Sequence, residues 1–259
     1  MSSPFYGVVS VMLLHLAAWP EVEEYLKTSS AIIVPIGSTE QHGPNGLIGT
    51  DAICPTAIAH EMAKHITVLI GPTLSVGMAQ HHLGFPGTIT LRPSTLLALV
   101  GDVIESLLRH GFTHVYFLNG HGGNVATINA AFSEVWSRAS FAGRDDAAPR
   151  LKLRNWWMGP AVRALSKELF GDAEGSHATP SEVSLSWYAH PEAVKTVRLT
   201  PPQAGSGPIR DAADYRRSFP DGRIGSNPGL ASVDHGRRIL QAAVDDTLTD
   251  FNTFTGTPE

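Results

Sequence analysis

Two runs constrain this chain more than any other feature: the continuous apolar Ala31-Ile32-Ile33-Val34-Pro35-Ile36, closed by Gly37, and the β-branched and aromatic Thr113-His114-Val115-Tyr116-Phe117-Leu118, closed by Asn119-Gly120. A run that is apolar at successive rather than alternate positions reads as a strand covered on both faces. Each run leads into a glycine-containing loop and then a segment with helical spacing. Repetition of this unit predicts an α/β fold, a mostly parallel sheet sandwiched between layers of helices. Ligands in such sheets bind beyond the carboxyl ends of the strands, where the loops after residues 36 and 118 fall.

The remaining elements follow from periodicity and punctuation. The apolar stretch 8–19 reads as a strand or turn leading into a helix from Pro20, with acids in its first turn. Helices are expected over 53–65, from Pro93 to Gly111, over 124–140, over 181–189 after Pro180, and over 231–254. Further strands are expected over 67–74, 151–158 and 193–199, and 143–150 reads as an exposed turn. The Pro- and Gly-rich stretch 201–229 reads as a long loop that covers a site or lies against a neighbouring subunit.

One domain over 1–259 accommodates the 259 residues and their 42% apolar content. A membrane span needs about 20 apolar residues, so the stretch 8–19 is too short, and it lacks a basic leader. The net charge of -5, with Lys and Arg scattered, leaves no basic stripe for a nucleic acid. Cys54 is the single cysteine, which excludes an intrachain disulfide and suits a reducing cytoplasm. Nucleophile-elbow, Walker and dinucleotide glycine patterns are absent from the sequence.

Three segments carry the chemistry: Ser38-Thr39-Glu40-Gln41-His42-Gly43-Pro44 with Asp51, Asn119-Gly120-His121-Gly122-Gly123-Asn124, and Glu174-Gly175-Ser176-His177 with Glu182. Imidazole and carboxylate suit zinc, manganese and related divalent ions, and glycine lets backbone approach a compact site. Each segment also has a plainer reading. Asp51 could be a helix N-cap, His121 could bond backbone in a Gly-rich turn, and Glu182 could serve only the helix dipole. Amides of Gly122 and Gly123 at a helix start could hold a substrate oxygen. His82, beside His81, and one of Trp156 and Trp157, here Trp157, are expected to line a substrate pocket.

Taken together, residues 37–44 with Asp51, residues 82–91 through Phe85-Pro86-Gly87-Thr88-Ile89, residues 119–124 and residues 177–182 resemble the creatininase (creatinine amidohydrolase) family over nearly the whole chain. The resemblance implies a compact α/β/α domain, a homohexamer, and two divalent metals, zinc or manganese with iron admissible. It also implies hydrolysis of a non-peptide C–N bond in a small cyclic amide. Position by position, Glu40, Asp51 and His121 would hold one ion and His42 and Asp51 the other, with Asp51 bridging. Creatininase has a glutamate two residues after the third-motif histidine, where this chain has Gly123; relatives with the His-Gly-Gly form point to Glu182 as its replacement. The expected reaction is attack of metal-activated water on an amide or lactam carbonyl, with His177 passing a proton to the leaving nitrogen. The competing expectations are a formamidopyrimidine-type deformylase releasing formate and a catalytically silent metal-binding assembly protein.

Overall fold

A computed structural model describes residues 11–143 and 148–256. Among the described residues five strands, β1 (Met12–Leu13), β2 (Ala31–Ile36), β3 (Leu69–Ile70), β4 (His114–Asn119) and β5 (Arg150–Asn155), form one sheet in the order β1-β3-β2-β4-β5. Every pairing is parallel, and the central register sets Ile32 against Val115 and Ile36 against Asn119. Parallel neighbours need crossovers, which α1 (Trp19–Leu26), α2 (Thr50–Met62), α3 (Pro93–Arg109) and α4 (Val125–Phe141) supply; α5 (Pro160–Phe170), α6 (Pro180–Ala189), α7 (Ala212–Ser218) and α8 (Val233–Thr255) follow β5.

Strand alternation splits the core into two layers. Ile33, Ile70, Tyr116 and Leu118 pack with Ile58 of α2, Val162 of α5, Leu185 of α6 and Ile239 of α8. Ile32, Val34, Ile36, Val115 and Phe117 pack on the other face with Tyr25 of α1, Leu96 and Ile104 of α3 and Ile128 of α4. Both faces of the sheet are therefore dry, which is why the strand sequences read as continuous apolar runs. Each such buried Ile or Leu contributes about 1.5–3 kcal/mol relative to exposure. The chain is thus an α/β/α sandwich.

Where the chain departs from expectation, partners decide. Residues 193–199 form no strand: apart from half-buried Ala193 and Leu199 they are exposed, and their β-branched residues have no neighbouring strand to pair with. The 67–74 strand shortens to β3, although Leu74 still bridges Ile36. The 151–158 strand stops at Asn155, and Trp156–Met158 turn into the unforeseen helix α5, opened by Pro160. The short helix α7, capped by Asp211, interrupts the expected 201–229 loop. Residues 8–10, and 144–147 of the expected exposed turn, lie outside the described residues. Among the described residues, no helix is long and apolar enough to cross a membrane.

The 201–229 segment packs over the sheet's carboxyl edge. Arg223, fully buried, donates to the carbonyls of Pro201 and Pro202 at 2.9 and 2.6 Å and pairs with Asp221 at 2.7 Å. Ile224 then bridges His177, tying the segment to the third chemical motif.

Candidate metal centre and cavity

β2 and β4 lie side by side, and the chain leaves them for opposite sides of the sheet, so the loops after them open one crevice. The first turn of α2 drops into it against glycine. A Cβ on Gly37 would sit 2.1 Å from the Asp51 carbonyl oxygen, and one on Gly120 would sit 1.9 Å from it. Only glycine at the ends of both strands lets Asp51 reach the crevice floor. Gly120→Ala is accordingly expected to displace α2, costing about 1–3 kcal/mol by overpacking. A thermal melt checks this, and an unchanged melting temperature counts against the close approach.

The loops bring the expected residues together. Candidate ligand atoms of Glu40, Asp51 and His121 lie within 4.8 Å of one another, as do those of His42, Asp51 and Glu182, so Asp51 belongs to both groups. A third group joins Glu40 and His42 to His177. Glu40, His42, Asp51 and His121 are all buried.

Hydrogen bonding fixes which atoms face inward. His42 Nδ1 donates to the Glu40 carbonyl at 3.1 Å, leaving Nε2 3.0 Å from Asp51 Oδ1. His121 Nε2 lies 3.0 Å from the Met78 carbonyl, to which it donates, and 3.3 Å from Glu40 Oε2, while Nδ1 lies 2.9 Å from Asp51 Oδ2. A carbonyl behind one imidazole nitrogen and an anionic group before the other is the arrangement that orients metal-ligating histidines. Both Glu40 carboxylate oxygens and Asp51 Oδ2 are buried without a hydrogen-bond partner. Lone pairs that face each other at such distances need a proton or a cation between them, so the donor set fits a divalent ion.

The titration behaviour has the same cause. Burial opposes charge on His42, but Asp51, Glu182 and Glu40 outweigh it and push the imidazole up to about 10. His121, also opposed by burial, is pushed up to about 9 by Glu40 and Asp51. Burial, with Asp51 beside it, pushes Glu40 up to about 8, whereas the two imidazoles overcome burial at Asp51 and hold it well below the usual carboxylate range.

These directions set a pH dependence for the metal-free chain. Raised imidazoles stabilise the fold below the ordinary value of 6.5, and that contribution is lost as pH rises toward 9 and 10. Glu40 acts with the same sign, from 4.5 up to about 8. In chelator the melting temperature is expected to fall between about pH 7 and 10, and zinc or manganese is expected to remove the slope by replacing the protons. A chelated melting temperature that rises with pH contradicts this assignment.

Glu182 divides its two oxygens. Oε1 accepts from Thr179 N at 2.6 Å, while Glu182 N donates to Thr179 Oγ1 at 3.2 Å, a capping box at the start of α6. Oε2 lies 3.8 Å from His42 Nε2. The helix-dipole role and the place in the cluster therefore coexist. At Gly123 a Cβ would meet His121 Nε2 at 2.4 Å and the Met78 carbonyl at 2.6 Å, so this backbone has no room there for a glutamate.

A cavity of about 770 Å³ opens on the cluster. Gly122, Trp156, Trp157, His177 and Glu182 line it; Gly123 and His82 do not. His82 corrects its expected place on the pocket wall: it is buried, with Nε2 3.1 Å from Glu40 Oε1 and Nδ1 accepting from Gln41 Nε2 at 3.1 Å. It stands behind Glu40, and burial, with the histidines around it, keeps it neutral. Trp156 is buried in the core with one edge on the cavity, and half-buried Trp157 adjoins it.

Two contributors escape the sequence reading, and a third is underrated by it. Gln41 accepts from Gly43 N and donates to the Gly222 carbonyl, which fixes its amide orientation beside His82 and His177. Tyr215 of α7 donates to the same carbonyl at 2.7 Å. Glu174, a weak candidate ligand by sequence, lines the cavity, takes a short hydrogen bond from Ser181 Oγ, and is pushed up to about 7 by burial. The motif around Gln41 was visible, but nothing local pairs it with residue 222.

An α/β/α sandwich with buried carboxylates and imidazoles at the carboxyl edge of its sheet defines a hydrolase-like scaffold carrying a candidate metal site. The creatinine amidohydrolase (creatininase) family model matches residues 15–250, and the chain belongs to that family. It is 29% identical to a creatinine amidohydrolase of Pseudomonas putida over 87% of this chain and 90% of that one. It is 28% identical to a mycofactocin precursor peptide peptidase of Mycobacterium ulcerans over 90% of this chain and 88% of that one. A solved creatininase superposes with a TM-score of 0.82 at 26% identity, over 96% of this chain and 100% of that one. Solved creatininases similar to this chain include a manganese form and a zinc–zinc form of a mutant.

Proposed function

We propose that this chain is a divalent-metal-dependent amidohydrolase that cuts a non-peptide C–N bond of a small cyclic amide. The observation that carries this is the pair of ligand groups sharing Asp51, with the orphaned oxygens of Glu40 and Asp51 between two anchored imidazoles. Glu40, Asp51 and His121 would hold one ion, and His42, Asp51 and Glu182 a second, zinc or manganese. When bound, such ions polarise a carbonyl and lower the pKa of water toward about 7.

The chain's own residues supply the rest. His177 Nε2 lies 2.8 Å from the Gln41 carbonyl and 3.0 Å from the Gln41 amide nitrogen; in the tautomer that donates to the carbonyl, Nδ1 is the acceptor on the side of Glu40, 3.9 Å from Oε1. Burial, with the charge of His42, holds His177 well below the usual imidazole range and therefore neutral at rest. A neutral imidazole with a bare Nδ1 can take a proton from an attacking water and return it to the leaving nitrogen. The Gln41 carbonyl favours that tautomer. The Gly122 backbone, at the cavity wall, is placed to meet a substrate oxygen.

A deformylase is the second reading, favoured by Gly123, whose surroundings exclude the glutamate of creatininase itself. Metal-loaded protein is incubated with creatinine, small lactams and aryl formamides, with assays for ring opening and for formate. Ring opening is the expected result, formate alone transfers the assignment to the deformylase, and stoichiometric metal without any turnover leaves a metal-binding assembly protein.

A further inference from the structure

The cavity is larger than a small neutral amide requires, since about 770 Å³ falls in the range of about 300–1,000 Å³ that holds a drug-sized ligand. Helix α5 brings Arg163 and Lys167, one turn apart, to its wall. Both are exposed, whereas Glu40 and Asp51 are buried at the floor, so the cations stand at the rim.

Three acids on or beside α5 and the cavity are engaged elsewhere. Asp246 accepts from the backbone amides of Ala161 and Val162 at 3.2 and 3.0 Å, capping α5. Glu168 pairs with Arg238 at 2.8 Å. Glu174 turns inward to Ser181. Among the described residues, neither Arg163 nor Lys167 has an ion-pair or side-chain hydrogen-bond partner. Trp157 and Met158 share the wall with them and offer an apolar surface.

Two unpaired, exposed cations on the wall of a cavity whose buried residues include the reacting groups match a substrate with an oxyanion at one end and an amide at the other. We propose that the substrate carries an anionic tail, a carboxylate or a phosphate ester, and that Arg163 and Lys167 select it. This rests on the hydrolytic reading of the cluster given above. The guanidinium offers a planar fork of donors and the ammonium a point charge, so together they serve either oxyanion. Trp157 and Met158 would flank an apolar body between tail and amide. Rim cations also concentrate anions from solution, an effect that salt screens over a Debye length of about 8 Å at physiological ionic strength.

The test uses metal-loaded protein and its Arg163→Gln, Lys167→Gln and double variants, titrated calorimetrically with phenyl phosphate, phenylacetate and neutral phenylacetamide. The parent protein is expected to bind one anion more tightly than phenylacetamide, and the favoured anion separates a phosphate from a carboxylate tail. The double variant is expected to weaken that anion by about tenfold or more while leaving phenylacetamide unchanged. No anion preference in the parent protein overturns the proposal, as does an anion affinity that the double variant retains, which places the anion on the metal cluster instead. Equal weakening of the neutral ligand also overturns it, because the variants would then have altered the cavity and not its charge. Amide turnover is measured in parallel: its absence alongside an intact, variant-sensitive anion preference defeats the hydrolytic reading alone.

Discussion

Asp51→Asn is expected to strip the cluster of tightly held metal and to lower amide turnover by more than about 10³-fold. Loss of a hydrogen-bond partner behind a ligand typically costs about 10- to 100-fold in metal affinity, and Asp51 is placed to ligate directly and in both groups. The substitution preserves volume but replaces an anion that faces both His42 Nε2 and His121 Nδ1. It should therefore also flatten the fall of melting temperature with pH in chelator, because the charge that raises both imidazoles is gone. Metal content after dialysis, read by mass spectrometry beside a circular dichroism spectrum, decides the matter. A folded variant with full metal content would remove Asp51 from the site.

His177→Ala is expected to separate chemistry from metal binding. A positioned proton-transfer group contributes about 10²- to 10⁴-fold, so turnover should fall by that factor while metal content stays at the parent level. The separation is informative because His177 also falls in a group with Glu40 and His42. Loss of metal together with turnover would make it a ligand, and unchanged turnover would sink its proton-transfer role. Proton transfer rests on the tautomer in which Nε2 donates to the Gln41 carbonyl and leaves Nδ1 free.

How much of this was legible in the sequence depended on range. β2 and β4 were readable because burial on both faces writes itself as unbroken apolar runs, and α3 because its buried face recurs at helical spacing. The 193–199 segment misled, since β-branched residues record a preference that becomes a strand only beside another strand. α5 is hidden in the sequence because the apolar run through Trp156 and Trp157 reads as strand up to Met158, although Gly159-Pro160 marks a helix start. The same run hides Arg163 and Lys167, whose importance lies in the cavity they share and not in any local pattern.

The sequence by itself determined which loops carry imidazole and carboxylate groups, that these loops follow buried strands, and that Gly123 offers no side chain two residues after His121. These are short-range facts, set by side-chain identity and by periods of a few residues. The tertiary structure alone decided that Glu40, His42, Asp51, His121 and Glu182 meet, that His82 stands behind Glu40 and not in the cavity, and that Glu182 caps a helix with one oxygen and faces His42 with the other. The physical reason is that convergence depends on strand order and on how closely backbones approach. Asp51 reaches the floor only because β2 lies beside β4 and because Gly37 and Gly120, far apart in the chain, both leave room for one carbonyl oxygen.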